Sequence, residues 1–559
     1  MEDELQPTPP PRRSTAAGVR NALFVLFCLG SVMWGFATFL APKPLPQPRQ
    51  FNPSAAKNDD FQSAVRKVDA VYEQAWAGAK LQPAPRASDL AIARRLSLGL
   101  MGTVPSLPEI RAFEAQPQEQ RLDWWLSVIL EDRGFSDFVA ERLARAYVGV
   151  ENGPFLVYRR HRLVEWLSDE VQQNRPYDQL VRSLIDAEGV WTSQPEANFI
   201  TVSVQQNMDK KGPDEIKLAA RVTRAFLGVR IDCMQCHDDK FGDHWKQQDF
   251  HQLAAFFGHA DVSLTGVRDD AKLKYEYRFK GKPAEEVVNP AVPFHPELLP
   301  QTGNLRERLA GWVTHPLNRA FARTTVNRVW AMLFGQPLVE PIDDIPLEGT
   351  LPPAMEVLAE DLVRHKFDLH RLIRVIAATK VFQLDSRSAD PQHPVTELHE
   401  RHLAAFPLTR LRPEQVAGSV VQSCSLETID AQSHILWRIT RALQQSGFVK
   451  RYGDLGDNEF AATGGTIPQR LLLMNGELVQ KRTEKNLVMN APTRIGSLAP
   501  DDATAVETAY LTALTRRPTA EERELFTGKL KGTKGDPRSE VMQDLYWALI
   551  NSTEFAWNH

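Results

Sequence analysis

The chain has 559 residues, too many for one hydrophobic core, so two or three domains are expected. Hydrophobic residues make up 43% of the sequence and charged residues 24%, which excludes a wholly disordered protein. With a net charge of −4 there is no overall basic surface, and we expect no nucleic-acid partner. Four cysteines are too few for a disulfide framework.

The N-terminal residues predict a disordered tail followed by a membrane anchor. The tail, residues 1–20, is proline-rich, and residues 21–41 carry no formal charge. That run is long enough to cross a bilayer as a helix. Arg12, Arg13 and Arg20 precede it and favour a cytoplasmic N-terminus. We therefore expect an inner-membrane anchor with the bulk of the chain exported to the periplasm; a cleaved signal peptide is the alternative.

The rest of the chain predicts a mainly α fold with two multi-helical domains. Residues 42–58 are rich in proline and predict an extended linker. Residues 59–260 form the first predicted helical domain and residues 304–559 the second, because apolar side chains recur at helical spacing. Between them, residues 261–303 break this pattern and predict a linker or a small β insertion.

Several elements can be placed individually. Capping boxes beginning at Ser106 and Thr519 predict two helix starts. The periodicity predicts a helix over Leu305–Val313 among others. Residues 197–205 are rich in β-branched side chains and predict a short strand, and Pro213 opens a helix that runs to Gly228.

The five residues Cys233-Met-Gln-Cys236-His237 follow that helix at once and have the spacing of c-type haem attachment. Each thiol would add to one vinyl group of the haem, and His237 would bind the iron as proximal ligand. The remaining cysteines, Cys28 and Cys424, lie far away in the sequence. Covalent haem c is therefore the cofactor that the motif predicts.

The sixth iron ligand is left open by the sequence. Candidates are Met208, His244, His251 and His259. A haem also needs apolar surroundings, because the shell around the iron controls water access and potential. Neighbouring apolar residues that could build such a pocket are Phe226, Leu227, Phe241, Trp245, Phe250, Phe256 and Phe257.

Three other interpretations of the motif remain. The two cysteines could form a structural disulfide, with His237 a solvated loop residue. They could bind zinc with His237 and one of His244, His251 or Asp238. They could also act as a thiol–disulfide redox pair. In each case the aromatic side chains would simply be core residues.

A pair of adjacent carboxylates, Asp343 and Asp344, lies in the second predicted domain. Such a pair can bind a cation or perform acid–base chemistry. The structural alternative is that it caps a helix or pairs with an arginine such as Arg323 or Arg328. Patterns typical of familiar hydrolases and nucleotide-binding loops do not occur in the sequence.

At this point the residues resemble a known family. The segment FLGVRIDCMQCHDDKFGDHWKQQDFHQLAAFFGHA resembles the planctomycete cytochrome-c-like domain of unknown function. Segments of the second half, LAGWVTHPLNRAFARTTVNRVWAMLFGQPLVEPIDD and TIPQRLLLMNGELV, resemble the planctomycete surface module that follows it. The resemblance implies a mostly helical, exported protein and little about activity. One departure is Asp239, where the family often has histidine, while His244 stands inside the Asp-x-Trp element.

The predicted function is therefore haem-based electron transfer, or redox delivery to a partner protein at the cell envelope. One alternative is a non-catalytic surface or scaffold protein whose cysteines form a disulfide or a metal site. The other is an envelope enzyme that uses Asp343 and Asp344. Zinc, or no cofactor, belongs to these alternatives.

Overall fold

The structure is a computed structural model, and it describes most of the chain. The described residues are 15–39, 47–49, 51–53, 58–150, 153–204, 212–239, 245–390, 392–429, 471, 474, 476–487 and 490–559. Most of the predicted N-terminal tail and of the predicted linker at 42–58 lies outside these residues.

The described residues are mainly helical, as predicted. The helices are α1 Thr15–Phe39, α2 Asp59–Gly78, α3 Asp89–Met101, α4 Leu107–Glu114, α5 Arg121–Glu131, α6 Arg133–Val148, α7 Arg160–Gln172, α8 Tyr177–Ile185, α9 Asn198–Thr201, α10 Glu215–Val222, α11 Gln247–Ala254, α12 Leu305–Val313, α13 Arg319–Phe334, α14 Pro353–Arg364, α15 Leu369–Ala378, α16 Lys380–Gln383, α17 Glu397–Arg401, α18 Pro413–Ser423, α19 Glu477–Thr483, α20 Ala491–Leu498, α21 Asp502–Leu514, α22 Ala520–Leu530 and α23 Asp536–Ile550.

Shorter helical turns and three small antiparallel sheets complete the described fold. The 3₁₀ turns are Gln118–Gln120, Pro195–Ala197, Asp232–Gln235, Ala255–Phe257 and Pro296–Leu298, and Thr223–Leu227 is a π-helical turn. The strands are β1 Ala260–Ser263, β2 Gly266–Asp269, β3 Glu276–Tyr277, β4 Glu286–Val287, β5 Thr409–Arg410 and β6 Trp557–Asn558. They pair as β1 with β2, β3 with β4 and β5 with β6. The first two pairs occupy the region where a β insertion was predicted.

The capping boxes in the sequence predicted two helix starts correctly. At Ser106 and Thr519 both halves of the predicted capping box form, and α12 spans Leu305–Val313 as predicted. The strand predicted at residues 197–205 is wrong, because this segment is a 3₁₀ turn followed by α9. Asn198 decides its conformation: the buried amide donates to the carbonyls of Trp191 and Pro195, both at 2.8 Å. These local side-chain-to-backbone bonds outweigh the strand preference of the β-branched residues.

The main hydrophobic core contains residues from Phe61 to Phe406 and so draws on both predicted domains. Its centre is α13, which is buried on nearly every side and packs against α3, α14, α15 and the π-helical turn. Trp330 of α13 stacks on Phe334 with 4.1 Å between ring centroids. Burial on nearly every side is what a helix in the middle of a large core shows.

A second core lies in the C-terminal part of the chain, from Leu411 to Phe555, and α3 connects it to the first. Leu98 of α3 packs in the second core, whereas Leu96 packs in the first. The buried Arg95 of the same helix donates to the carbonyls of Phe382, Leu384 and His559. These charge-assisted bonds tie the end of the chain to the main core.

The membrane anchor predicted at residues 21–41 is wrong. Among the residues that the structure describes, no helix has the length and apolar character that crossing a bilayer requires. Helix α1, Thr15–Phe39, begins outside the predicted span and includes Arg20 and Asn21. The predicted membrane partner and inner-membrane localisation are therefore wrong too, and nothing in the structure supports the predicted periplasmic export.

His370 of α15 makes stability depend on pH. Its ring lies edge-on to Phe135 at 5.6 Å, and its Nε2 atom is buried without a hydrogen-bond partner. Burial lowers the pKa of His370 to about 4; Asp368 opposes this shift and Arg374 adds to it. The unfolded chain takes up this proton near pH 6.5, whereas the folded chain does not until about pH 4.

We therefore expect the free energy of unfolding to fall as the pH drops from about 6.5 towards 4, with up to about 3 kcal/mol of the loss due to His370. Urea unfolding followed by circular dichroism at pH 7.5 and 4.5 measures it. His370→Gln should remove much of the pH dependence, whereas the control His161→Gln, at an exposed residue, should keep it. Equal pH dependence in the wild type and His370→Gln would contradict the assignment.

Candidate functional site

The turn that carries the two cysteines presents both thiols to solvent. Asp232–Gln235 is a 3₁₀ turn in which Met234 points into the core at 7% exposure. Cys233 and Cys236 are exposed, and neither is in a disulfide. Because Met234 anchors the turn from inside, the residues on either side of it face outward, and the thiols are free to react.

His237 follows the turn and is half-buried. Its Nδ1 atom lies 2.8 Å from the carbonyl oxygen of Asp238. A backbone carbonyl only accepts, so Nδ1 carries the proton in this contact and Nε2 keeps its lone pair. Metal-binding histidines are commonly oriented in this way, by a hydrogen bond from the nitrogen that does not bind the metal. His237 is therefore prepared to ligate through Nε2.

Three buried or half-buried side chains donate hydrogen bonds to one backbone carbonyl of the turn. The oxygen of Gln235 accepts from His251 Nε2, Gln247 Nε2 and the Tyr277 hydroxyl, each at 3.0 Å. Tyr277 also stacks on His251, with 3.5 Å between ring centroids. We call Gln235, Gln247, His251 and Tyr277 the carbonyl clamp. It fixes the backbone between the two cysteines.

His251 is fully buried, and both of its ring nitrogens are engaged. Nε2 donates to Gln235, and Nδ1 lies 2.7 Å from the Tyr275 hydroxyl, which donates to it. Burial lowers the pKa of His251, and the bond to the Gln235 carbonyl acts in the opposite direction. Burial likewise raises the pKa of Tyr275. Binding iron as a sixth ligand would require His251 to give up one of these bonds.

Of the other candidates for the sixth ligand, only His259 lies among the described residues. Met208, His244 and the pocket candidate Phe241 lie outside the described residues. His259 is half-buried just before β1. Among the described residues, no group of three histidine, cysteine or acidic side chains is arranged to hold a metal ion. The sixth-ligand and zinc assignments therefore stay predictions.

The described apolar residues proposed for a haem pocket pack in the main core instead of lining a cavity. Five of them are buried there: Phe226, Leu227, Phe250, Phe256 and Phe257. Trp245 is half-buried and contacts Phe294 at 6.3 Å. The space next to the turn is a cleft of about 260 Å³ between the start of α10 and strand β3. Its walls include Glu215, Gln235, Tyr277 and other polar residues, so it is not an apolar pocket.

Asp343 is close to the cysteine turn in space, although 107 positions separate it from Cys236 in the sequence. It accepts from Arg230 and Arg224, and not from the arginines considered in the sequence. Arg323 pairs with Glu356 at 2.7 Å, and Arg328 donates to the carbonyl of Ala225 at 2.9 Å. Asp343 therefore belongs to an ion-pair cluster, which does not favour a separate catalytic site.

Sequence reasoning missed the side chains that support the turn. Tyr275, Tyr277, Gln247, Arg224 and Arg230 were not singled out. The segment KLKYEYRFKG of the predicted β insertion alternates in polarity, which places Tyr277 of β3 and Tyr275, the residue before that strand, on one face. That periodicity was the one available signal; nothing in the sequence indicates that the face meets the Gln235 carbonyl.

Comparison with known families gives two matches, in sequence order. Residues 67–262 match the PSCyt2 family, a protein of unknown function (DUF1549), and residues 305–437 match the PSD1 family, a protein of unknown function (DUF1553). The chain is a PSCyt2–PSD1 protein. The resemblance to the planctomycete cytochrome-c-like and surface-type domains, in that order, is thereby confirmed. No curated protein and no solved structure matches the chain. The carbonyl clamp belongs to the PSCyt2 part, apart from Tyr277, which follows it.

The carbonyl clamp can be tested by removing the polar atoms of His251. We expect His251→Phe to lower the free energy of unfolding by about 2–3 kcal/mol, because the buried Tyr275 hydroxyl loses the acceptor it has in His251. Chemical denaturation of the full chain measures this loss. The double variant His251→Phe/Tyr275→Phe should recover part of it, since removing both partners leaves less polar surface uncompensated. A His251→Phe variant as stable as the wild type would show that the clamp contributes nothing.

Proposed function

We propose that this protein carries haem covalently on Cys233 and Cys236, with His237 as proximal ligand, and exchanges single electrons with a partner protein. The observation that carries the proposal is the arrangement of the CxxCH turn. Both thiols are unbonded and exposed, and His237 has its Nδ1 proton on a carbonyl with Nε2 left to ligate. A structural disulfide would need bonded sulfurs, and its thiols would not face solvent as a free pair.

The residues of the turn fit a covalently held haem. Each thiol would add across one vinyl double bond: a sulfur–carbon bond forms, and the thiol proton ends on the other vinyl carbon. This addition needs no oxidant or reductant, only that both cysteines are reduced, as they are in the structure. The carbonyl clamp would keep the two sulfurs in fixed relative positions during both additions, since it immobilises the peptide between them.

The bound haem would supply one-electron chemistry, and the chain would hold and orient it. His237 would be positioned by the carbonyl of Asp238. Asp238 itself is fixed, because its carboxylate accepts from the backbone N–H of Gln247 at 2.8 Å. The turn therefore joins the first residue of α11 on one side and the core through Met234 on the other.

The surroundings of the turn favour transfer to a partner over chemistry on a small substrate. The thiols are exposed and the neighbouring cleft is polar, with Glu215 and Glu276 in its walls. Solvent exposure and nearby negative charge stabilise the oxidised, more positive state of a metal centre. We therefore expect a lower reduction potential than that of a haem buried in apolar surroundings.

The test is covalent haem on the full chain, produced together with the machinery that attaches c-type haem. We expect intact-mass spectrometry to show the added mass of one haem, and a haem stain to label the band on a denaturing gel. Cys233→Ala/Cys236→Ala should lose both signals because the thioether anchors are gone. The matched control Cys424→Ala removes a buried cysteine elsewhere and should keep them.

His237 has a separate expected outcome. His237→Gly should keep the covalent haem mass but change the absorption spectrum, because the anchors remain and the proximal ligand is lost. A wild-type chain at its unmodified mass would contradict the proposed function. It would leave the alternatives predicted from the sequence, a thiol redox pair or a scaffold protein.

A further inference from the structure

Two arginines and two aspartates connect the cysteine turn to the PSD1 part of the chain. We call Arg224, Arg230, Asp232 and Asp343 the arginine–aspartate bridge. Asp232 is the residue before Cys233 and accepts from Arg224 through both carboxylate oxygens, at 3.1 and 2.6 Å. Such two-point pairing fixes direction as well as distance. The residue that begins the turn is therefore oriented by Arg224.

Asp343 supplies the other end of the bridge. Its Oδ1 atom accepts from Nε and Nη2 of Arg230 at 3.0 and 2.6 Å, and its Oδ2 atom lies 3.4 Å from Nη1 of Arg224. The Asp343 side chain is only 14% exposed, so solvent screens these contacts weakly. The bond to Asp343 raises the pKa of Arg230, as expected when an anion stabilises the cation. Asp343 thus holds both arginines.

The backbone beside the bridge is fixed by the same part of the chain. The N–H of Ile345 donates to the carbonyl of Gly228 at 2.7 Å, and Arg328 donates to the carbonyl of Ala225. Gly228 has a φ of +61°, and a Cβ atom there would lie 2.6 Å from Thr324 Oγ1. This close approach leaves little freedom to the backbone that leads into the cysteine turn.

We propose that Asp343 is a positioning residue for the haem-attachment turn, acting through Arg224 on Asp232. The PSD1 part thereby completes a site whose reactive residues all belong to the PSCyt2 part. The inference rests on the proposed haem function for its purpose, although the positioning can be measured without haem.

Removing the Asp343 carboxylate has two physical consequences. Arg230 and Arg224 lose the carboxylate that holds them both, so Asp232 and the following Cys233 are held less firmly. The bridge also gains one net positive charge. The exposed Cys233 thiol then reaches more orientations in which a reagent can attack its sulfur, and added positive charge close to a bound haem favours the reduced state.

The first measurement uses the full chain without haem and compares alkylation of the two thiols by mass spectrometry. We expect Asp343→Asn to raise the alkylation rate of Cys233 about threefold or more, within the range of couplings found between residues of one ion-pair network. Glu348→Gln is the control, since it removes the same charge at an exposed residue of the same loop, outside the bridge, and should behave like the wild type. Asp343→Glu keeps the charge and should restore most of the wild-type rate.

The second measurement uses the haem-loaded chain. Asp343→Asn should raise the reduction potential relative to the wild type and to Glu348→Gln, and it should lower the haem content. A double-mutant cycle with Asp232→Asn tests the route: if Asp343 acts through Arg224 on Asp232, the two substitutions are not additive in the alkylation rate. If Asp343→Asn does not fold, Arg224→Gln removes the same connection from the PSCyt2 side and should give the same faster alkylation.

Outcomes of the two measurements separate the two proposals. Wild-type alkylation rates in Asp343→Asn, or equal changes in Glu348→Gln, would overturn the positioning role. A wild-type chain that takes up no haem would overturn the proposed function, while the alkylation comparison would still decide what Asp343 does. Additive effects in the cycle would show that Asp343 does not act through Asp232 and would overturn the inference as stated.

Discussion

The site depends on one backbone carbonyl, that of Gln235, which lies between the two cysteines and accepts from three side chains at once. A turn that exposes two reactive thiols has little apolar surface of its own with which to hold its shape. Met234 gives it one buried anchor, and the carbonyl clamp gives it a polar one. Three donors can meet at one carbonyl only where the fold keeps helix α11, strand β3 and the turn together. This constraint explains why a fully buried histidine, His251, lies beneath an exposed motif.

The clamp also explains what the small β insertion does for the site. Strand β3 alternates, so Tyr275 and Tyr277 share a face and both reach His251, one by a hydrogen bond and the other by stacking. Helix α11 supplies His251 and Gln247, four residues apart and therefore on one side of the helix. Strand β3, with a period of two residues, and helix α11, with a period of about 3.6, therefore meet at the His251 imidazole. The orientation of that imidazole determines where the Gln235 carbonyl can lie.

The local sequence was sufficient to predict where a helix begins when the capping residues bond within that helix's first turn. Ser106 and Thr519 bond within their own first turns, so four residues of sequence contain the whole interaction. The segment at 197–205 failed because Asn198 bonds to Trp191 and Pro195, and residue propensity contains no information about such partners. The anchor predicted at 21–41 is wrong as well, since no helix among the described residues is long and apolar enough to cross a bilayer. Of the site, the sequence could supply Cys233, Cys236 and His237, because they are neighbours in the chain. It could not indicate that Asp343 or Tyr277 lies beside them, because both approach the turn only through the fold.

The hydrophobic cores show why the PSCyt2 and PSD1 parts act together. The main core contains residues of both, and α13 of the PSD1 part packs directly against the π-helical turn that precedes the cysteines. A π-helical turn inserts an extra residue into a helix and commonly occurs where a side chain must be placed for function. Here the turn contains Arg224, whose guanidinium reaches Asp232 and Asp343 together. Without α13 behind it, the turn would lose the buried contacts of Ala225, Phe226 and Leu227 that keep it in this conformation. The reactive turn therefore depends on the PSD1 part twice, through apolar packing against α13 and through the carboxylate of Asp343.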